Sequence, residues 1–306
     1  MQQILHAVFL ACSVFFFFSS SNLLAAPPRT VVCPSDQELL QFLESEQKPS
    51  ASLLPPSVSI AEGFTPGTTE KAGAIENVQG AVLVIHQGGT SAYRLKQNLP
   101  IFNGDTLITA PTSRVTMRLT DDSQLTLTAN SKLVIDQAVY QSETGHRDTK
   151  LQLLLGRLRT IVSKVTGPSS FRIKTPNVVA GVRGTDFLLA VGPSLHSPSD
   201  LMTVLLTGGG GSRVELIGDT GNSVLVGPLS IASAALDCGV CPSLQIGNST
   251  LNMLHNLAPE LDFKGFWQVQ LFLDDGKKLK ADPTYQLKEL INKPDENDKI
   301  VSPHAP

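Results

Sequence analysis

FRIKTPNVVAGVRGTDF, residues 171–187, is the stretch on which the reading of the fold turns. Phe171 and Ile173 alternate with Arg172 and Lys174. A period of two puts the apolar side chains on one face and the cations on the other, as in a strand with one face buried. Thr175-Pro176 interrupts the ladder, because proline has no N–H to donate and disfavours helical geometry in the residue before it. Val178, Val179, Ala180 and Val182 form an apolar run too short to read as a helix, with Gly181 inside it. Arg183-Gly184-Thr185-Asp186 is a polar turn, and Phe187-Leu188-Leu189-Ala190-Val191 resumes an apolar strand. The whole reads as strand, turn, strand. Arg183 and Asp186, set so close between apolar strands, are expected to form a local charge-assisted pair, or Arg183 to cap backbone carbonyls. The expected role is structural, since charges beside a core are normally paired for stability alone.

Upstream, the texture is the same. Residues 74–84 read as a pair of strands around Gly80. Asn103-Gly104-Asp105 is a turn that favours positive φ at Asn-Gly. Val115, Met117 and Leu119 alternate with Thr116, Arg118 and Thr120, and Asp121-Asp122-Ser123 then turns the chain. Leu125 and Leu127 alternate with threonines, residues 140–149 read as a protruding hairpin, and Leu151, Leu153 and Leu155 alternate up to Gly156. Downstream, residues 201–206 and 214–217 read as strands joined by four glycines, Gly208 to Gly211, and residues 223–226 as another. Turn signals about every eight to twelve residues mark a sandwich or barrel. The expected fold is all-β, a sandwich or roll of short strands, with a short N-terminal helix and a small, partly helical C-terminal tail.

The ends differ in character. Residues 4–18 are apolar, and a polar break followed by Leu23-Leu24-Ala25-Ala26-Pro27 makes residues 1–26 a secretory signal peptide. The apolar stretch falls short of the ~20 residues a spanning helix needs. It lacks a preceding Lys or Arg, and a retained anchor is the competing reading. The chain is therefore expected to be periplasmic or secreted, with no membrane span after cleavage. Residues 27–70 read as a leader: Ser35 and Glu38 have capping-box spacing, and Leu39, Leu40, Phe42 and Leu43 give one face to a helix reaching about Lys48. Residues 49–69 read as an extended linker. The main β domain is assigned to 71–192, further strands to 193–250, and a partly helical to disordered tail to 251–306.

Three cysteines, Cys33, Cys238 and Cys241, follow the signal segment. In an oxidising compartment two should pair: Cys238 and Cys241 closing a small loop, or Cys33 stapling the N-terminal arm to one of them. One thiol is left over either way.

Net charge is −3, with 41% apolar and 17% charged residues. That balance lacks the basic footprint of a nucleic-acid binder. His86, His146, His196, His255 and His304 have no metal-ligand spacing. There is no G-x-S-x-G elbow, and the four glycines lack the Lys-Ser or Lys-Thr of a phosphate loop. Asp121-Asp122 and Asp274-Asp275-Gly276 lack the spaced oxygens of a calcium loop. No catalytic residue, metal or cofactor is expected, and the chain is read as a non-enzyme.

In order along the chain, Glu76-Asn77-Val78-Gln79-Gly80, Asn103-Gly104-Asp105-Thr106, residues 113–127, Leu155-Gly156-Arg157-Leu158 and the Thr175, Pro176, Gly181, Arg183, Gly184, Thr185, Asp186, Phe187 series resemble the FecR domain. The resemblance spans about residues 74–191, and its most specific part is T-P-x-x-x-x-G-x-R-G-T-x-F. It implies an all-β extracytoplasmic module of bacteria. In the regulator that names the family, the module senses a TonB-dependent receptor and governs a sigma factor through a cytoplasmic helical arm. Only a handful of residues precede the apolar stretch here, so that arm is expected to be absent. Asp122-Ser123 stands where the family often has Asp-Gly, which implies a different turn geometry. The functional expectation is a domain that binds an envelope protein or polymer. A signal-relay component and a carbohydrate-binding or hydrolytic module are the alternatives.

Overall fold

The structure is a computed structural model and describes residues 33–45, 49, 52–182, 184–195, 197–208, 212–219, 221–235 and 239–245. The expected signal segment, Arg183, Cys238 and the C-terminal tail, with its expected short helices, lie outside the described residues.

Helix α1 is Asp36–Glu44. Its capping box forms as the spacing predicts: Glu38 N–H donates to Ser35 Oγ, and Ser35 N–H donates to the Glu38 carboxylate at 2.8 Å. The helix stops earlier than expected, because Ser45 is already extended. The strands are β1 Ser59–Ala61, β2 Lys71–Gln79, β3 Val82–Ile85, β4 Ser91–Arg94, β5 Pro100–Phe102, β6 Thr106–Thr109, β7 Arg114–Leu119, β8 Gln124–Leu127, β9 Lys132–Gln141, β10 His146–Ile161, β11 Ser169–Lys174, β12 Val178–Val182, β13 Asp186–Pro193, β14 Leu201–Thr207, β15 Val214–Gly218, β16 Ser223–Val226, β17 Ser230–Ala235, β18 Gly239–Val240 and β19 Leu244–Gln245.

They form two sheets that share β10. The first runs β1, β4, β3, β6, β9, β10, β11, β12, β15, β16. The second runs β5, β2, β7, β8, β10, β13, β14, β17, with β18 and β19 on its end. Up to Leu155, β10 pairs with β9 and β11; from Gly156 it pairs with β13 and, from Leu158, with β8. Gly156 makes the switch. Its φ is +92°, where a side chain is strained, and an added Cβ would run into Ser131 Oγ. The same hydroxyl accepts the N–H of Arg157 at 3.0 Å, so the backbone donor beside the switch is satisfied.

The core lies between the sheets. Val84, Leu107, Leu133, Leu151, Phe171 and Ile173 from the first meet Met117, Leu125, Leu158, Phe187, Leu189 and Leu205 from the second. A separate apolar cluster seats Leu39, Phe42 and Leu43 of α1 on Leu188, Ala190, Met202, Val204 and Leu206. Strands β13 and β14 are therefore covered on both faces, which is why they read as continuous apolar runs and not as alternations.

Three elements depart from the expectation. Residues 178–182 form β12, so the opening stretch holds three strands, not two; Val178, Ala180 and Val182 point inward while Val179 and Gly181 stay half-exposed. Residues 59–61, expected in a linker, add a parallel strand beside β4. Residues 230–235, inside the span expected to hold further strands but marked as no strand of their own, form β17 with almost every residue buried. Their alanines and serines carry no polar/apolar alternation to betray a strand.

Candidate functional site

The motif residues at the end of the opening stretch knit one corner together. Thr175 N–H donates to Val178 O at 2.8 Å, and the Thr175 and Thr203 hydroxyls bond at 2.7 Å. Pro176 sits inside this turn, and Asn177 beside it donates through Nδ2 to Leu201 O at 2.8 Å. Gly181 has no space requirement, since an added Cβ would meet only Glu215 O, at 3.8 Å. Gly184 does: its φ is +62° and a Cβ would press on Lys164. Thr185 carries the chain across, donating to Arg213 O from its hydroxyl at 3.2 Å and accepting Val162 N–H on its carbonyl at 2.9 Å. Phe187 is buried in the core. Asp186 receives both Nε (3.1 Å) and Nη2 (2.8 Å) of Arg159, a two-pronged pair planted on β10. The aspartate's partner thus comes from 27 residues upstream; Arg183, the expected one, lies outside the described residues.

The other motif pair, Gly104 and Asp105, sits in a turn against β9. Gly104 has φ +83° and donates to Ile135 O at 2.6 Å. The Asp105 side chain is buried; it accepts Phe102 N–H at 2.8 Å and meets His86 Nδ1 at 2.7 Å. Burial pushes the Asp105 carboxyl above its usual range, and the bonds from His86 and Phe102 pull it partly back. The other ring nitrogen of His86, Nε2, faces the Thr65 carbonyl at 2.8 Å. Phe64, Tyr93 and Phe102 enclose the imidazole at centroid distances of 5.3–5.7 Å. With both nitrogens engaged, His86 has no free position from which to take a proton from a nucleophile. The group ties the segment around residue 65 to the sheet.

Sequence reasoning missed a deeply buried ion pair. Arg147 Nη1 meets Asp121 Oδ2 at 2.9 Å, and both side chains are only 1–2% exposed. Arg147 also donates to Ser163 O (2.9 Å) and Ser169 Oγ (2.7 Å from Nη2), and its guanidinium lies over the Phe171 ring. Ser123 Oγ and Ser123 N–H complete the shell of Asp121. The Asp121-Asp122-Ser123 turn was visible; the burial of its first carboxylate was not. Asp122 takes φ +64°.

Cys33 and Cys241 form a disulfide, with Cα atoms 5.8 Å apart. Of the open pairings, the long-range staple is the one the structure holds. It fixes the segment leading into α1 at one end. At the other, Arg157 Nη2 donates to Ser45 O at 2.6 Å.

The outer surface near the first sheet's end differs from these clamps. Strand β16 bonds to β15 along one edge, and among the described residues no strand covers its other edge. Leu225 on β16 is 60% exposed and Ile217 on β15 is 39% exposed. Register places Glu215 opposite Leu225 and Ile217 opposite Ser223, so all four share the outward face.

Residues 105–209 match the family described as FecR protein, and that segment of the chain is a FecR-family segment. It runs from Asp105 through β14, with β10 near its middle. No curated protein matches the chain. Among solved structures, two crystal structures of a candidate anti-sigma factor from Parabacteroides distasonis align at 13% and 12% identity. Each covers 63% of this chain, and 91% and 92% of theirs, with TM-scores of 0.37 and 0.36. A cell surface anchoring domain aligns at 28% identity over 21% of this chain and 82% of its own, with a TM-score of 0.20. TM-scores of this size establish no shared architecture. Among the described residues, no helix is long and apolar enough to cross a membrane.

Proposed function

We propose that this chain is a non-enzymatic, extracytoplasmic signal-relay module that works by protein contact, taking an extended segment of a partner protein along the free edge of β16. The observation that carries the reading is that edge. Ser223-Val224-Leu225-Val226 is short but contains no lysine, no proline and no bulge, three of the devices by which β proteins blunt an exposed edge. An added strand would gain main-chain hydrogen bonds, and Leu225 with Ile217 would receive alternate apolar side chains of the incoming segment. The FecR-family segment supports the relay part of the reading. The motif residues support it indirectly: Thr175, Thr185, Asp186 and Asp105 are spent on internal bonds, which leaves the surface edge, not the motif, as the contact.

The test is transcriptional. In a strain lacking the gene, RNA sequencing is expected to find a coherent set of genes changed. Wild-type protein restores it, and Leu225→Lys, which charges the edge at an exposed position, does not, although the variant accumulates normally. Unchanged transcription in the null strain ends the relay reading; full restoration by Leu225→Lys ends the β16 reading.

A further inference from the structure

The outer face of the first sheet carries a second feature, remote in sequence from β16. A sheet's solvent face is usually polar, but here β3 and β6 are apolar on both sides. Val82, Val84 and Leu107 point into the core, while Leu83, Ile85 and Ile108 point outward. Pairing register lines up Arg94, Leu83, Ile108 and Lys132 in one row across four strands. The next row holds Ile60, Ala92 and Ile85. Leu53 and Leu54, from the segment before β1, form a wall over this face and leave a half-open cleft of about 420 Å³. Such a volume lies in the range of roughly 300–1,000 Å³ found for small-ligand sites.

The lining is apolar apart from a few groups, and its charge is one-sided. Arg94 lines the cleft and is exposed; no acidic residue lines it. Lys132 continues the row beyond Ile108. Among the described residues neither cation meets a carboxylate. The polar groups at the deeper end are already occupied: the Thr109 hydroxyl donates to Thr128 O at 2.5 Å and accepts Ser131 N–H at 2.9 Å. An apolar trough bounded by unpaired cations is complementary to an amphiphile with an apolar tail and an anionic head. A cationic head would be repelled, and a sugar would leave its hydroxyls without partners in the trough.

We infer that this cleft binds a single-chain fatty carboxylate, its tail along Leu83, Ile108 and Ile60 and its head on Arg94. The carboxylate accepts from the guanidinium, and the tail replaces water over the exposed Ile60 and the half-buried Leu83, with the buried Ile108 as the floor beneath it. The site is separate from the β16 edge and does not depend on what binds there.

The experiment is calorimetric titration of the full mature chain, disulfide intact, with dodecanoate and with dodecyltrimethylammonium, both below their micelle concentrations. Dodecanoate is expected to bind at one site, and the ammonium amphiphile at least about tenfold more weakly, in keeping with the gap between paired and opposed charges. Arg94→Gln, at an exposed position, is expected to weaken dodecanoate about tenfold through the lost charge-assisted bond. Ile60→Asp, also exposed, should weaken it by a similar factor while leaving the thermal transition in place. Equal affinity for the two heads, no effect of Arg94→Gln, or binding of a lysophospholipid without binding of dodecanoate would each overturn the assignment.

Discussion

Asp105 is a carboxylate placed where water does not reach it, and its charge is held by one imidazole and one backbone N–H. Because burial raises its pKa above the usual 3.8, the folded chain holds this proton more tightly than the unfolded chain does. Below that value both states are protonated and the site contributes no difference. As pH rises through it, the unfolded chain ionises first, and the folded state loses stability until its own carboxyl has ionised. The stability of the wild type minus that of Asp105→Asn is therefore expected to fall as pH rises from 3.8. Urea unfolding of both proteins at a series of pH values measures it, and a difference that climbs with pH contradicts the placement. The family resemblance, with the local turn and charge pattern, picked out Gly104, Asp105, Thr175 and Asp186 as motif residues with an expected structural role. Their partners were hidden. His86 lies 19 residues from Asp105 and Arg159 lies 27 from Asp186, and cross-strand register, which no local pattern encodes, brings them together.

Among the elements, β10 does the most. Its 16 residues serve two sheets in turn, and one left-handed glycine allows the change. Gly156→Ala would have to hold a β-carbon at φ +92° against Ser131, on whose hydroxyl the Arg157 N–H depends. The expected cost is about 1–3 kcal/mol, the usual strain of a side chain in that region. Chemical denaturation would measure it, and a change below a few tenths would mean that β10 switches sheets some other way. The alternation of Leu151, Leu153 and Leu155 made the strand legible, and its break at Gly156 was noted, but a change of sheet leaves no mark beyond the glycine. Strand β12 was not legible for another reason: the run is too short to read as a helix, and without alternation nothing marks it as a strand until β15 supplies the partner. Strand β17 was illegible because small residues can face a core or a neighbouring strand without alternating in polarity.

For the whole molecule, the sandwich class followed from turn spacing and alternation, as the two packed sheets bear out. The integration of α1 did not. Read as a leader, it instead completes the second sheet's outer face, with Arg157 holding the Ser45 carbonyl at its end and the disulfide holding the segment before it. That bond joins positions 208 residues apart and encloses nearly all of the strands. It has a mechanical consequence. Tension applied between the segments outside Cys33 and Cys241 would pass through the sulfur bridge and leave both sheets slack. In an optical trap, the oxidised protein is expected to lengthen under load without releasing the chain between the cysteines. After reduction, the same pull should free up to roughly 700 Å of extended polypeptide. Built this way, the domain could be tugged at both ends and still present its surface unchanged, like a shield hung from a closed ring.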